Sequence, residues 1–312
     1  YDYANAHSHR NADSINYRTQ FAMKQHLTTR GTRVSWVGLL NLMTVYFIWG
    51  STYLAIRIAV RDGLGFPPFF LAASRVILAG SLLLLFAVLQ HQRIRLNRTE
   101  LIVLAISGSL LWVGGNGLVS WSEQRVSSGL AALIVGATPI FVALMESAID
   151  RKIPSLLLVG SLLVGFGGIV ILTFPVIRSG IRGDVLSAIG LLAASFSWGA
   201  GSLLQSRNPV RISPFVSSGY QHLFGAFGLI ILSLITRENF QSPPLDAWLA
   251  WGYLVVFGSI IAFTSFINVL QILPTNIVMT YSYVNPVIAV FLGWVILGER
   301  ITVWTIAGTL LV

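Results

Sequence analysis

The chain has 312 residues, 55% of them hydrophobic and 10% charged, with a mean hydropathy of +0.77. Soluble domains carry about 25% charged residues, so a water-soluble domain is excluded and the lipid bilayer is the solvent. The net charge of +9 comes from basic residues scattered between apolar runs, which is the pattern of membrane-helix flanks and not of a nucleic-acid surface. There is no cysteine, so disulfides, thiol chemistry and thiolate metal sites are excluded as well.

Residues 1–33 are polar, carry Arg10, Arg18, Lys24, Arg30 and Arg33, and read as a disordered tail. His7, His9 and His26 in that tail match no metal-ligand spacing. The first apolar segment is too long for the core of a secretory signal. Apolar segments then recur, each near the ~20 residues that span a bilayer, at 36–60, 68–90, 99–121, 127–149, 155–175, 184–206, 213–236, 245–272, 275–297 and from 302 onward. The pattern predicts an all-α integral membrane protein with ten transmembrane helices. From Thr302 only 11 residues remain to Val312, about half a membrane at ~1.5 Å per residue, so the natural chain is expected to continue.

Loop charges set an orientation. The five basic residues of the tail fall on the same side as Arg93, Arg95, Arg98, Arg151, Lys152, Arg207 and Arg211. The other side holds Arg61, Arg125, Arg178, Arg182, Arg237 and Arg300. The positive-inside rule therefore puts both termini in the cytoplasm.

The sequence also repeats. Ile48-Trp49-Gly50 returns as Ser197-Trp198-Gly199, Pro139 as Pro286, Gln124 as Gln271 and Gly160 as Gly308, at offsets agreeing within two positions. Five spans per half make the second half enter the membrane from the opposite side. The expected domains are thus two inverted five-helix repeats, 34–176 and 182–312, with a binding site where they meet near mid-membrane. Proline interrupts the fourth span at Pro139 and the ninth at Pro286, removing a backbone hydrogen bond at each, and these two positions are the candidate hinges.

Several stretches resemble EamA-type transporters of the drug/metabolite transporter superfamily. They are Ile48-Trp49-Gly50-Ser51-Thr52-Tyr53, Arg75, Gly115-Asn116-Gly117, the run from Ser127 to Ala132 and on to Pro139, Phe257-Gly258-Ser259, and Tyr281-Ser282-Tyr283-Val284-Asn285-Pro286 ending at Gly298-Glu299. The resemblance covers about residues 36–312. It implies the same ten-helix inverted repeat, a multi-pass location in the bacterial inner membrane and export of metabolites, often amino acids, without fixing the cargo.

Individual residues carry competing roles. Arg75, at depth in the second span, is either an anion contact or a hydrogen-bonder to helix-end carbonyls. Arg57, near the end of its span, can snorkel to the interface, and Glu146 is expected to pair locally with Arg151 and Lys152. His222, the one histidine in a span, is either a proton relay or a neutral core residue, which makes the proton the candidate coupling ion. Trp36, Trp248, Trp251 and Trp304 read as interface anchors. Trp49, Trp121, Trp198, Tyr281 and Tyr283 are candidates for the wall of a cavity, as against ordinary packing. Gly115-Asn116-Gly117 lies in a span with no preceding strand, so it reads as helix packing and not as a dinucleotide loop. Asn97-Arg98-Thr99 is a glycosylation sequon on the cytoplasmic side, where it has no meaning. No metalloprotease, nucleophile-elbow or phosphate-loop motif occurs.

The sequence thus points to a secondary transporter that binds a small neutral, zwitterionic or anionic solute through Arg75, Asn116, Tyr281, Tyr283, Asn285 and His222, with Trp49, Trp121 and Trp198 as walls. No cofactor is expected, and the protein is either a monomer or a homodimer. The alternatives are an intramembrane enzyme built on a serine and His222 and a passive channel.

Overall fold

Helices are the only regular structure among the residues described by the computed structural model, which are 35–61, 64–152, 156–179 and 182–311. The polar tail and its three histidines lie outside them. The helices are α1 Trp36–Ala59, α2 Pro68–Leu89, α3 Arg98–Ser122, α4 Ser128–Ile149, α5 Leu156–Ser179, α6 Arg182–Arg207, α7 Pro214–Ile235, α8 Leu245–Ile272, α9 Thr275–Leu297 and α10 Val303–Leu311. Among the described residues, eight helices, α1–α4 and α6–α9, are long and apolar enough to cross a membrane. Helix α10, with nine residues, rises only about 13 Å. Residues 35–39 group apart from the compact unit Leu40–Val312, and the helix packing and the cavity belong to that second unit.

Local chemistry sets the helix starts. Asn97 accepts from the Glu100 amide while Glu100 reaches back to the Asn97 amide, a capping box that opens α3. Ser127 and Ser213 cap α4 and α7, and α2 and α7 begin at Pro68 and Pro214, where a missing N–H costs nothing. Gly298 ends α9 in the left-handed region, at φ 65°, which favours glycine.

Carboxylates and arginines fasten the helix ends on both faces of the bundle. On one, where α1 and α3 end and α2 and α4 begin, carboxylates cap helix starts. Glu238 accepts from the amides of Phe69 (2.9 Å) and Phe70 (2.8 Å) on α2. Glu299 accepts from the Ser128 amide (2.9 Å), the Ser128 hydroxyl (2.9 Å) and the Gly129 amide (3.3 Å) on α4. Negative charge at a helix N-terminus is favourable both as hydrogen bond and as dipole complement. Arg57 does not snorkel. It donates to the carbonyls of Glu123 (2.5 Å) and Gln124 (2.7 Å) at the end of α3. On the opposite face Arg93 pairs with Glu100, and Arg207 with Asp150 at 2.6 Å. The Arg207 guanidinium holds the Asp150 carboxyl below the usual carboxylate range. The ion pair at that end of α4 is thus made by Asp150 and not by Glu146.

Helices α4 and α9 are interrupted, though not in matching ways. In α4 the helix stops at Val135 and restarts at Thr138, with Pro139 in its first turn. In α9 it stops at Val278 and restarts at Tyr281. Pro286 lies within the continuous part Tyr281–Leu297, so the break precedes it. Helices α3 and α8 each contain a nine-residue π-helical stretch, Ser109–Gly117 and Leu254–Ala262. Nothing in the apolar pattern of the sequence anticipates these stretches.

Helix α2 packs on α7, α3 on α6, α4 on α9 and α5 on α10. The α3–α7 contact is tight enough that a Cβ at Gly225 would come 2.3 Å from Trp112 Cβ, whereas one at Gly252 would meet nothing. Gly225→Ala is therefore expected to lower the thermal unfolding midpoint in detergent, at a cost of about 1–3 kcal/mol from overpacking. Gly252→Ala should leave the midpoint unchanged, and equal midpoints for the two variants would show that α3 and α7 do not meet this closely.

Candidate substrate site

The site is built on aromatic rings from four helices. Trp49 on α1 and Trp198 on α6, which the internal repeat aligns, meet edge to face with ring centroids 5.2 Å apart. Phe266 on α8 packs on both, at 4.8 and 5.7 Å, and Tyr281 on α9 closes the group 5.3 Å from Trp49. Such edge and offset contacts are the favoured aromatic geometries. One turn further along α1, Thr52, Tyr53 and Ile56 line a cavity above this floor, joined by Val119 and Val135 from α3 and α4. Its volume is about 60 Å³, small beside the roughly 300–1,000 Å³ of ordinary ligand pockets. Buried apolar residues lie on both sides of it, with Val45, Ile267 and Val278 toward one face and Val60, Phe66 and Ala131 toward the other. The cavity is therefore narrow, although Tyr53, Asn116 and Trp198 in its lining are only partly buried.

Arg75 supplies the charge. It is 2% exposed, lines the cavity, and its guanidinium lies 5.1 Å from the centre of the Trp112 ring. Its Nε donates to the Ser259 hydroxyl at 3.0 Å, while Nη1 has no partner. Among the described residues the ion pairs are Arg61–Asp246, Arg93–Glu100 and Arg207–Asp150, and Arg75 takes part in none of them. A cation–π contact in a dry setting contributes about 2 kcal/mol, which does not offset the several kcal/mol of desolvation. The arginine is thus a buried cation with an open hydrogen-bond donor, and it contacts no helix-end carbonyl.

Asn285 lines the same cavity at 2% exposure. With its amide nitrogen turned to the carbonyls of Tyr46 (3.0 Å) and Tyr281 (3.2 Å) it ties α9 to α1. Asn116 also lines the cavity, and its amide oxygen is buried without a donor, as is the Trp112 indole N–H without an acceptor. The cavity is therefore lined by a cation, indole rings, a phenol and two amides.

The π stretches help make this arrangement. A π turn leaves carbonyls outside the α register. The Leu110 carbonyl accepts from the Ser197 hydroxyl at 2.8 Å, and the Gly258 carbonyl from the Trp49 indole at 3.3 Å. The first stretch presents Trp112, Gly115 and Asn116 to the cavity, and the second places Ser259 on Arg75.

Of the residues singled out from sequence, Trp49, Arg75, Asn116, Trp198, Tyr281 and Asn285 come together here. Trp121 does not. It lines a separate surface pocket with Gln124 and Glu238, and Arg125 lies over its ring at 6.0 Å. Tyr283 is half exposed on the outside of α9. His222 sits behind the wall and does not line the cavity, its ring 4.5 Å from Trp112 and 4.7 Å from Phe263. Its Nδ1 lies 2.6 Å from the Ser218 carbonyl and not against a hydroxyl. Trp112, Tyr53 and Thr52 were missed by sequence reasoning, although Trp112 lies one turn from Asn116 in the same span.

Comparison with known proteins agrees with this architecture. Residues 36–174 and 185–312 each match the EamA-like transporter family. The chain belongs to that family. It is 35% identical over 263 residues to the inner membrane transporter YedA of Escherichia coli K12, covering 84% of this chain and 83% of YedA. It is 26% identical over 267 residues to the S-adenosylmethionine/S-adenosylhomocysteine transporter of Chlamydia trachomatis, covering 81% and 80% of the two chains. A solved protein crystal structure superposes with a TM-score of 0.65 at 19% identity, over 88% of this chain and 93% of that one, which supports the fold. The protein is thus a multi-pass membrane transporter of the EamA type.

A buried, uncompensated cation costs stability. Arg75→Met is expected to fold and to unfold at an equal or higher temperature than the parent in detergent, with a gain of about 0–3 kcal/mol. A large loss of stability would make Arg75 a structural hydrogen-bonder.

Proposed function

We propose that this EamA-family protein is a secondary active transporter that exports a small amino-acid-like solute across the inner membrane by alternating access. The observation that carries the reading is the free guanidinium nitrogen of Arg75, in the wall of an aromatic-lined cavity deep between the helices. Arginine's planar fork suits a carboxylate, and the solute carboxylate would supply the counter-charge that the protein omits. Asn116 and Asn285 would take the ammonium and other polar groups, and the indoles of Trp49, Trp112 and Trp198 would hold an apolar or heteroaromatic side chain. The S-adenosylmethionine relative supports this, because its cargo joins an amino-acid end to a purine.

The inverted-repeat architecture belongs to the same reading. Support comes from the two family matches in one chain, from the recurrence of a nine-residue π stretch in α3 and α8, and from the contact between the repeat-related Trp49 and Trp198. Helices α4 and α9 would bend at their breaks, 136–137 and 279–280, as the cavity opens to one side and then the other. The loop-charge bias would place both termini in the cytoplasm. The cavity is too small for an amino acid as it stands and would widen to admit one.

Proteoliposomes loaded with radiolabelled methionine, leucine or glutamate provide the test. Saturable flux that is accelerated by the same solute on the opposite side is expected for at least one of them. Arg75→Gln should lower that flux about 10–100-fold, the equivalent of losing one charged hydrogen bond of about 1.5–3 kcal/mol. Flux that neither saturates nor shows counterflow would favour a passive channel, and unchanged flux in Arg75→Gln would remove the arginine from the site.

A further inference from the structure

Glu123, in the turn between α3 and α4, is a carboxyl that the transport reading does not use. It is fully buried, and neither of its oxygens has a hydrogen-bond partner. The charged neighbours on each packed element are committed elsewhere. Arg57 of α1 donates to the backbone carbonyls of Glu123 and Gln124 and not to the carboxylate. Glu299, beyond α9, is occupied with the start of α4. Arg125, in the same turn, lies over Trp121. Tyr53, which lines the cavity, is within electrostatic reach. A carboxylate without donors in a dry site is costly, so such a group takes up a proton instead. Burial pushes the Glu123 carboxyl up, Glu299 adds to this, and Arg57 opposes it.

The position matters as much as the burial. Glu123 adjoins the first arm of α4, residues Ser128–Val135, which ends at the break before Thr138. That arm is fastened to Glu299 at one end and packed on α9, where Gly129 approaches Val290 closely. If the arm swings away, the turn that buries Glu123 opens to water on that face.

We propose that Glu123 is a proton-binding site of the gate formed by the first arm of α4. Its carboxyl holds a proton while the arm lies against Glu299 and releases it to water on that face when the arm moves out. The O–H bond breaks with the electron pair staying on the carboxylate, the proton passes to a water molecule, and closure reverses the transfer. A carboxyl that favours its protonated form when buried stabilises the closed gate at low pH, and this stabilisation is lost as pH rises through the buried group's pKa. The proposal rests on the alternating-access reading for the movement of α4, but not on the identity of the cargo.

Two measurements on the purified full chain test it without a substrate. Infrared difference spectra between about pH 5 and about pH 9 should show a protonated carboxyl titrating above the usual glutamate value of about 4.3. That signal should be absent in Glu123→Gln and retained in Glu299→Gln. Because the chain has no cysteine, a reporter introduced by Val126→Cys, a 3% exposed position in the same turn, can be labelled cleanly with a membrane-impermeant maleimide in proteoliposomes. The labelling rate, corrected for the thiol's own ionisation with an exposed cysteine control, should rise with pH by up to about tenfold per unit. It should become slow and independent of pH when Glu123→Gln is added. A carboxyl signal that survives Glu123→Gln, or labelling with the same pH dependence in both backgrounds, overturns the proposal. If both measurements give the expected result while every amino-acid probe fails to move, the cargo assignment falls and the proton site stands.

Discussion

In a bilayer every backbone polar group must find its partner within the protein, and this requirement explains how the chain builds a site out of departures from the α-helix. Among the described residues, four places leave the regular ladder: the breaks in α4 and α9 and the π stretches of α3 and α8. Each is repaired by a particular side chain. Thr138 donates to the Val135 carbonyl (2.7 Å) and Thr280 to the Ile277 carbonyl (2.5 Å). Ser197 and Trp49 satisfy carbonyls of the two π stretches. The repairs couple neighbouring helices, because Ser197 and Trp49 reach across from α6 and α1, and Tyr46 bonds Thr280 from α1. Irregular backbone is thus tolerated only where another helix lies close, and in this chain that is around the cavity.

Arg75 follows the same rule for charge, with its repair left incomplete. The surrounding helices give it one hydroxyl and one indole face, which orient the guanidinium without neutralising it. If Arg75 binds the solute as proposed, a carboxylate from the protein would compete with it. On the proposed reading, the open cation makes the empty form less stable and the occupied form more so, the difference a transporter needs to tie solute binding to a change of shape.

Helix boundaries were legible from the sequence to within a few residues, because transfer of apolar side chains into lipid is what hydropathy measures. The breaks were legible in part. Pro139 marks the interruption of α4, since a missing N–H has a fixed consequence. Pro286 does not mark that of α9, because Thr280 and Tyr46 supply the stabilising bonds six residues earlier, and hydroxyls of this kind are common along the spans. The π stretches left no trace in composition, since they change one hydrogen-bond register and nothing else. Within Tyr281-Ser-Tyr-Val-Asn285, the helical period separates Tyr281 and Asn285, four apart and inward, from Tyr283, which faces out. That distinction was available from spacing alone. Trp112 was hidden because an indole in a span counts simply as apolar, and Glu123 because a lone acid in a loop looks solvated until the fold buries it.

The two interrupted helices also differ in how their arms are held. The first arm of α4 runs eight residues, from Ser128 to Val135, and is held by carboxylate bonds from Glu299. The short arm of α9 runs four residues, from Thr275 to Val278, and is held near its break by the neutral Tyr46–Thr280 hydroxyl pair. Hydrogen bonds to charged groups contribute about 1.5–3 kcal/mol and neutral ones about 0.5–1.5 kcal/mol. In hydrogen bonds alone, releasing the α4 arm costs more than releasing the α9 arm. On the alternating-access reading, the empty protein opens more readily on the α9 side. That side is the cytoplasmic one under the charge-derived orientation, so an unloaded exporter would wait facing its source.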